Sequence, residues 1–189
     1  MKCSAYIATS VDGFIARLDG GLDWLEAAGT ADAEPMSADY LDFAGYLATV
    51  DCLIMGRNSM ETISSFNLTD AQWPYGDTRI VVLSRSLKVP PENLQGRVEM
   101  YSGEISDLIR SLESEGVGHA YVDGGATIRS FLRLGLIDRM VITQIPVLLG
   151  EGIPLFGSLE GDVRLCAGRA ATGPKGVIQL SYEVVRSAE

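Results

Sequence analysis

The stretch Tyr121-Val122-Asp123-Gly124-Gly125-Ala126-Thr127-Ile128-Arg129-Ser130-Phe131-Leu132 constrains the fold of this chain most. A short apolar run, Ala120 to Val122, meets two glycines. Ile128, Phe131, Leu132 and Leu134 then follow at helical spacing. The pattern predicts a strand, a tight turn and a helix. Glycines let a backbone approach a ligand closely because no Cβ intervenes. A helix N-terminus adds unpaired N–H groups and a positive dipole end, which together suit a phosphate.

Two further strand ends carry matching chemistry. In Cys52-Leu53-Ile54-Met55-Gly56-Arg57-Asn58-Ser59-Met60-Glu61, an apolar run stops at Gly56 and Arg57 follows. Ser59 is expected to cap a short helix over Met60 to Ile63. In Arg79-Ile80-Val81-Val82-Leu83-Ser84-Arg85-Ser86, a strand ends in a hydroxyl, a guanidinium and a second hydroxyl. Open α/β sheets bind ligands beyond the carboxyl ends of their strands. If the three strands are parallel neighbours, one sheet edge collects Gly56, Arg57, Ser59, Ser84, Arg85, Gly124, Gly125 and Thr127. Guanidinium groups suit a multidentate phosphate contact. Taken singly, a Gly-Gly pair is also a turn and either arginine is also a solvated charge. The coincidence of three such ends favours a ligand site.

Composition sets the limits. A chain of 189 residues with 47% hydrophobic content builds one domain with a real core, and no composition shift or linker divides residues 1–189. No apolar run reaches the roughly 18 residues of a membrane helix. Asp12 and Gly13 interrupt the N-terminal apolar residues, which alternate as in a strand, so no cleaved leader is expected. A net charge of −10 argues against nucleic acid as partner. Cys3, Cys52 and Cys166 form no C-x-x-C pair, and His119 stands alone, so no metal site is expected. The cysteine pattern points to a reducing cytoplasm.

Along the chain, Ser4 to Ala8 reads as the first strand, and Ser37 is expected to cap a helix running to Leu47. Strands over Cys52–Met55, Ile80–Leu83, Val98–Tyr101 and Ala120–Val122 follow, with helices ending at Gly116 and Gly135. This alternation predicts an α/β fold with a mostly parallel sheet. Arg139–Val147, Val163–Ala171 and Val177–Val185 read as three closing strands, the last two joined by Gly173-Pro174-Lys175-Gly176. Antiparallel strands at the end of a parallel sheet are common.

These motifs, with Tyr6-Ile7-Ala8-Thr9-Ser10-Val11-Asp12-Gly13-Phe14-Ile15-Ala16 and Pro146-Val147-Leu148-Leu149-Gly150-Glu151-Gly152-Ile153-Pro154-Leu155-Phe156, cover nearly the whole chain. Together they resemble the dihydrofolate reductase-like family, in particular stand-alone relatives of the C-terminal reductase domain of riboflavin biosynthesis (RibD). The resemblance implies a three-layer α/β/α fold with antiparallel C-terminal strands. It also implies NADPH as cofactor. Residues matching Gly56, Arg57, Asn58 and Ser59, with Ser84 and Arg85, then bracket the adenosine and its 2′-phosphate. Those matching Gly124, Gly125, Ala126 and Thr127 hold the pyrophosphate, across a cis Gly124–Gly125 peptide. Those matching Ala8 and Ile15 line the nicotinamide.

The pterin-binding carboxylate of true dihydrofolate reductases falls at Tyr40 here, and no zinc deaminase motif is present. The expected activity is therefore reduction of a small heterocyclic or ribosylamino-pyrimidine-like molecule, as in a 5-amino-6-(5-phosphoribosylamino)uracil reductase. Tyr40, Asp12 or an ordered water are the candidate proton sources. The alternative is a non-catalytic nucleotide-binding interaction protein that keeps the fold. A homodimer built on the C-terminal strands is expected, because an uncovered sheet edge is a hazard and the family commonly dimerises.

Overall fold

The computed structural model describes residues 1–26, 36–159 and 161–185. Its elements are β1 (Lys2–Ser10), β2 (Phe14–Ala16), α1 (Phe43–Leu47), β3 (Cys52–Gly56), α2 (Arg57–Ser65), β4 (Arg79–Leu83) and β5 (Glu99–Tyr101). Then come α3 (Ile105–Ser114), β6 (His119–Asp123), α4 (Gly125–Arg133), β7 (Arg139–Ile145), β8 (Ile153–Pro154), β9 (Leu165–Thr172) and β10 (Ile178–Val184). Among the described residues, one sheet runs β5-β4-β3-β6-β1-β7-β10-β9. The pairs from β5 to β7 are parallel, and β10 is antiparallel to both β7 and β9.

Strand alternation divides the core into two layers, because successive side chains point to opposite faces. Cys52, Ile54, Ala120 and Val122 meet Leu108, Ile109 and Leu112 of α3 and Ile128, Phe131 and Leu132 of α4. Leu53, Met55 and Tyr121 face the other way, toward Tyr46 of α1 and Met60 of α2. The result is three layers, α/β/α, as expected. Helices α3 and α4 stop where the glycines predict. Gly116 (φ 90°) and Gly135 (φ 64°) adopt left-handed conformations. Val117 and Leu136 N–H donate back to Leu112 and Phe131 carbonyls at 3.0 and 2.9 Å, satisfying the last turns.

Four local expectations are corrected. The helix predicted from Ser37 begins only at Phe43, capped by Asp42, which accepts from Gly45 N–H at 2.7 Å. The backbone of 37–41 is engaged elsewhere: Ser37 bonds Thr172, and Gln179 bridges both the N–H and the C=O of Leu41 at 2.9 Å. Helix α2 starts at Arg57 with Gly56 at its cap, so Ser59 lies inside the first turn. Helix α4 starts at Gly125, and the Gly124–Gly125 peptide is trans. The turn there is made by Gly124 at φ 87°, ψ 133°, a conformation open to glycine.

The small β2–β8 pair was not foreseen. It lays Ile153 beside Ala16 and Pro154 beside Phe14. Among the described residues no helix is long and apolar enough to cross a membrane.

Candidate active site

The carboxyl ends of β4, β3, β6 and β1 are neighbours in the sheet, and an open cleft of about 1530 Å³ lies across them. Ala8 and Ile15, the Gly56–Arg57–Asn58–Ser59 turn, Ser84–Arg85 and the Gly124–Gly125–Ala126–Thr127 turn all line it. The structure thus brings the residues expected to hold a cofactor to one surface.

Two glycine turns interlock at its centre. A Cβ on Gly56 would lie 2.9 Å from Thr127 Oγ1, and one on Gly124 only 2.5 Å from Ser59 Oγ. The N–H groups of Gly125, Ala126 and Thr127 precede the first helical bond of α4, Ile128 N–H to Gly124 O at 2.9 Å. They are the donors that a helix N-terminus offers an anion. Gly124→Ala is expected to cost about 1–3 kcal/mol, since the backbone conformation disfavours a side chain and the Cβ collides with Ser59. Thermal unfolding measures this; an unchanged Tm would show that the turn relaxes freely.

The arginines stand at the outer end of the cleft. Arg57 Nε lies 3.7 Å from Glu61, and Arg85 Nη2 lies 3.4 Å from Glu104. Both pairs are exposed, and such pairs are held weakly. A phosphate can therefore displace the carboxylates at small cost. Ser84 is buried, and its Oγ accepts from Leu87 N–H at 2.9 Å, which shapes the turn that presents Arg85.

Asp12 and Tyr40 are not part of the cleft lining. Asp12 accepts from Leu149 and Gly150 N–H at 3.2 and 2.7 Å. A hydrogen bond from Ser10, then those from the two N–H groups, hold its carboxyl below the ordinary value. It pins the loop leading to β8. Tyr40 packs beside Trp24, Ile145 and Val177 against Gly173, and burial raises its phenol.

Asp19, Glu61, Glu104 and Asp123 are the acids in the cleft lining, and of these Asp123, the last residue of β6, is the one whose pKa is raised by desolvation. Tyr121 Oη lies 3.1 Å from its Oδ1 and also donates to Tyr6 O at 2.9 Å. Desolvation pushes the Asp123 pKa up, against the lowering effect of hydrogen bonds from Tyr121, Ser59 and the Gly124 N–H. The hydroxyl of Tyr121 has one proton and two acceptors. It is shared between the Tyr6 carbonyl and the Asp123 carboxyl. The sequence carried a signal for this residue: an acid directly before Gly124-Gly125, two positions after Tyr121 and so on the same face of the strand.

Beyond Asp123 the cleft becomes aromatic. Tyr6, Phe43, Tyr75 and Tyr121 all line it. Phe43 is the hub, with ring centroids 5.9 Å from Tyr6, 6.0 Å from Tyr75 and 6.4 Å from Tyr121. Burial, the largest cause, pushes the Tyr6 phenol up to about 12, and its hydroxyl donates to Leu41 O at 3.0 Å. Burial raises the Tyr75 phenol too, with Asp123 adding to the shift.

Known proteins share the chain's family and fold. The family model of the RibD C-terminal domain matches residues 2–178. The uncharacterized protein YwjB of Bacillus subtilis is 34% identical over 167 residues, covering 87% of each chain. The riboflavin biosynthesis protein RibD of Corynebacterium ammoniagenes is 30% identical over 181 residues, which span 88% of this chain but 50% of that protein. A crystal structure of a Shewanella sp. PV-4 protein assigned to riboflavin biosynthesis superposes with a TM-score of 0.85 at 36% identity, covering 98% of this chain and 100% of the other. Related RibD reductase-domain structures share the dihydrofolate reductase-like fold, with its large, mostly parallel sheet. With its phosphate-suited strand edge and its match across nearly the full length, the chain belongs to the RibD C-terminal domain family.

Proposed function

We propose that this protein is an NADPH-dependent reductase of a small heterocyclic or ribosylamino-pyrimidine-like substrate. The observation that carries the reading is one cleft lined both by phosphate-type donors and by a desolvated carboxyl. The donor set fits the cofactor. The Gly56 and Gly124 cradle leaves room that a Cβ would fill. The α4 N-terminus suits a pyrophosphate, and Arg57 and Arg85 with Ser59 and Ser84 suit a 2′-phosphate.

NADPH bound there supplies a hydride. The chain's own residues do the rest. Ala8 and Ile15 offer an apolar wall that keeps water from the reacting face. Burial disfavours the charged form of the Asp123 carboxyl, so it takes up a proton more readily than a solvated aspartate does. Reduction of a C=N or C=O bond needs such a proton, and Asp123 is positioned to deliver it into the cleft. Tyr121 and Ser59 fix the orientation of the carboxyl. The test is loss of NADPH absorbance across a panel of imines, pterins and ribosylamino-pyrimidines. Cofactor binding without turnover on any of them would favour a non-catalytic nucleotide-binding role.

The proposal extends to a homodimer in a reducing cytoplasm. Strand β9 is the outer strand of the sheet, and all of its residues but Ala171 are exposed. Its register with β10 shifts between Ser181 and Glu183, and Ala167 turns to φ 52°. A bulge of this kind limits open-ended edge pairing and leaves a closed symmetric contact as the way to cover the strand. Light scattering is expected to give about twice the 20.3 kDa of one chain; a mass near one chain would defeat the dimer.

A further inference from the structure

We infer that the aromatic end of the cleft takes a planar conjugated ring that bears no phosphate or other anionic group. This rests on the reading of the cleft as a reductase site and narrows its substrate class. It departs from the phosphorylated substrate that the family resemblance suggests.

The wall is made for a ring. Tyr6 comes from β1, Phe43 opens α1, Tyr75 lies in the segment before β4, and Tyr121 comes from β6. Phe43 meets Tyr75 nearly edge-on, at 84°, and Tyr121 at 67°. Aromatic groups pair in offset or edge-to-face geometry. At the floor, Asp123 and Tyr121 Oη supply the polar atoms that read a ring's edge.

Among the described residues, the segments that carry the four rings bring no Lys or Arg to the cleft lining. Among the described residues, the Lys and Arg side chains lining the cleft are Arg57, Arg85 and Arg129. None is on the segments that carry the four rings. Arg57 and Arg85 stand at the cofactor end beside Glu61 and Glu104. Arg129 donates its Nη1 to Pro154 O and Leu155 O, both at 2.9 Å, and so is committed to the backbone around β8. Residues 27–35, Ala-Ala-Gly-Thr-Ala-Asp-Ala-Glu-Pro, carry no Lys, Arg or His in their sequence. A phosphate dianion taken from water into an aromatic wall beside a carboxyl, with no partner cation, loses its hydration without recompense. A neutral or cationic ring meets no such penalty, and aromatic faces attract a cation.

The experiment uses the full chain, with and without NADP⁺, and three probes: 5,6-diaminouracil, 5-amino-6-ribosylaminouracil and the 5′-phosphate of the latter. Calorimetry at low and high salt gives each Kd. The phosphorylated probe is expected to bind no tighter than its nucleoside, and salt is expected to leave the ring affinities unchanged. Phe43→Leu is expected to weaken ring binding by about tenfold. NADP⁺ affinity of that variant, unchanged, reports an intact fold. Tighter binding of the phosphorylated probe by about tenfold, lost at high salt, would overturn the inference. So would no detectable binding of any ring, or ring binding indifferent to Phe43→Leu. Failure of NADP⁺ to bind would instead strike at the cofactor reading, while the order of the three probes without cofactor would still be read.

Discussion

Asp123→Asn is expected to lower turnover by about 10²–10⁴-fold, the usual contribution of a positioned general acid. NADPH affinity should fall far less than turnover, because asparagine has the shape of aspartate and leaves Arg57 and Arg85 in place. The amide keeps the hydrogen-bonding shape toward Tyr121 and Ser59 but carries no transferable proton. The pH dependence follows from the raised pKa. Wild-type turnover should fall as pH rises through the folded-state pKa of Asp123, and the variant should lose that limb. Wild-type stability should also fall as pH rises. The folded pKa lies above the unfolded one, so ionisation in the folded state is penalised. That penalty is absent below the unfolded pKa and grows as pH rises toward the folded pKa. At neutral pH the asparagine variant should therefore melt no lower than wild type, with about 2–4 °C gained per kcal/mol relieved. Steady-state kinetics across pH and a thermal melt check both effects. Full activity in the variant would remove Asp123 as proton donor.

Arg85→Ala is expected to weaken NADPH by about 10–150-fold while leaving NADH nearly unaffected. A charge-assisted hydrogen bond to phosphate is worth about 1.5–3 kcal/mol. The Arg85–Glu104 contact it replaces is exposed and contributes little. Arg57→Ala should act in the same direction, since its partner Glu61 is equally solvated. Raised salt should shrink the NADPH preference, because exposed charges are screened. Fluorescence titration with both cofactors decides the matter. Equal losses for NADPH and NADH would take the arginines away from the 2′-phosphate.

Where periodicity and backbone chemistry act locally, the chain was legible. The apolar runs at 52–55, 80–83 and 120–122 became buried parallel strands, and Gly116 and Gly135 ended helices. Where a distant segment competes for the same backbone groups, local signals misled. Ser37 had the character of a cap, yet Thr172 and Gln179, over 130 residues away, hold the 37–41 backbone out of a helix. Ser59 read as a cap as well. With Gly56 opening α2, it instead faces Asp123 on the neighbouring strand end.

The sequence by itself determined the α/β order, the three glycine- and arginine-bearing strand ends and the family, because these are properties of short contiguous segments. Only the tertiary structure decided which acid is poised. Asp12 and Tyr40 carry chemistry equal to that of Asp123 on paper, but their environments differ. Asp12 is spent on the N–H groups of Leu149 and Gly150, and Tyr40 is set against Gly173 away from the cleft. Asp123 alone of the three joins the cleft lining, beside Tyr121 and Ser59. A pKa is set by desolvation and neighbouring charge, and both depend on which strands lie side by side.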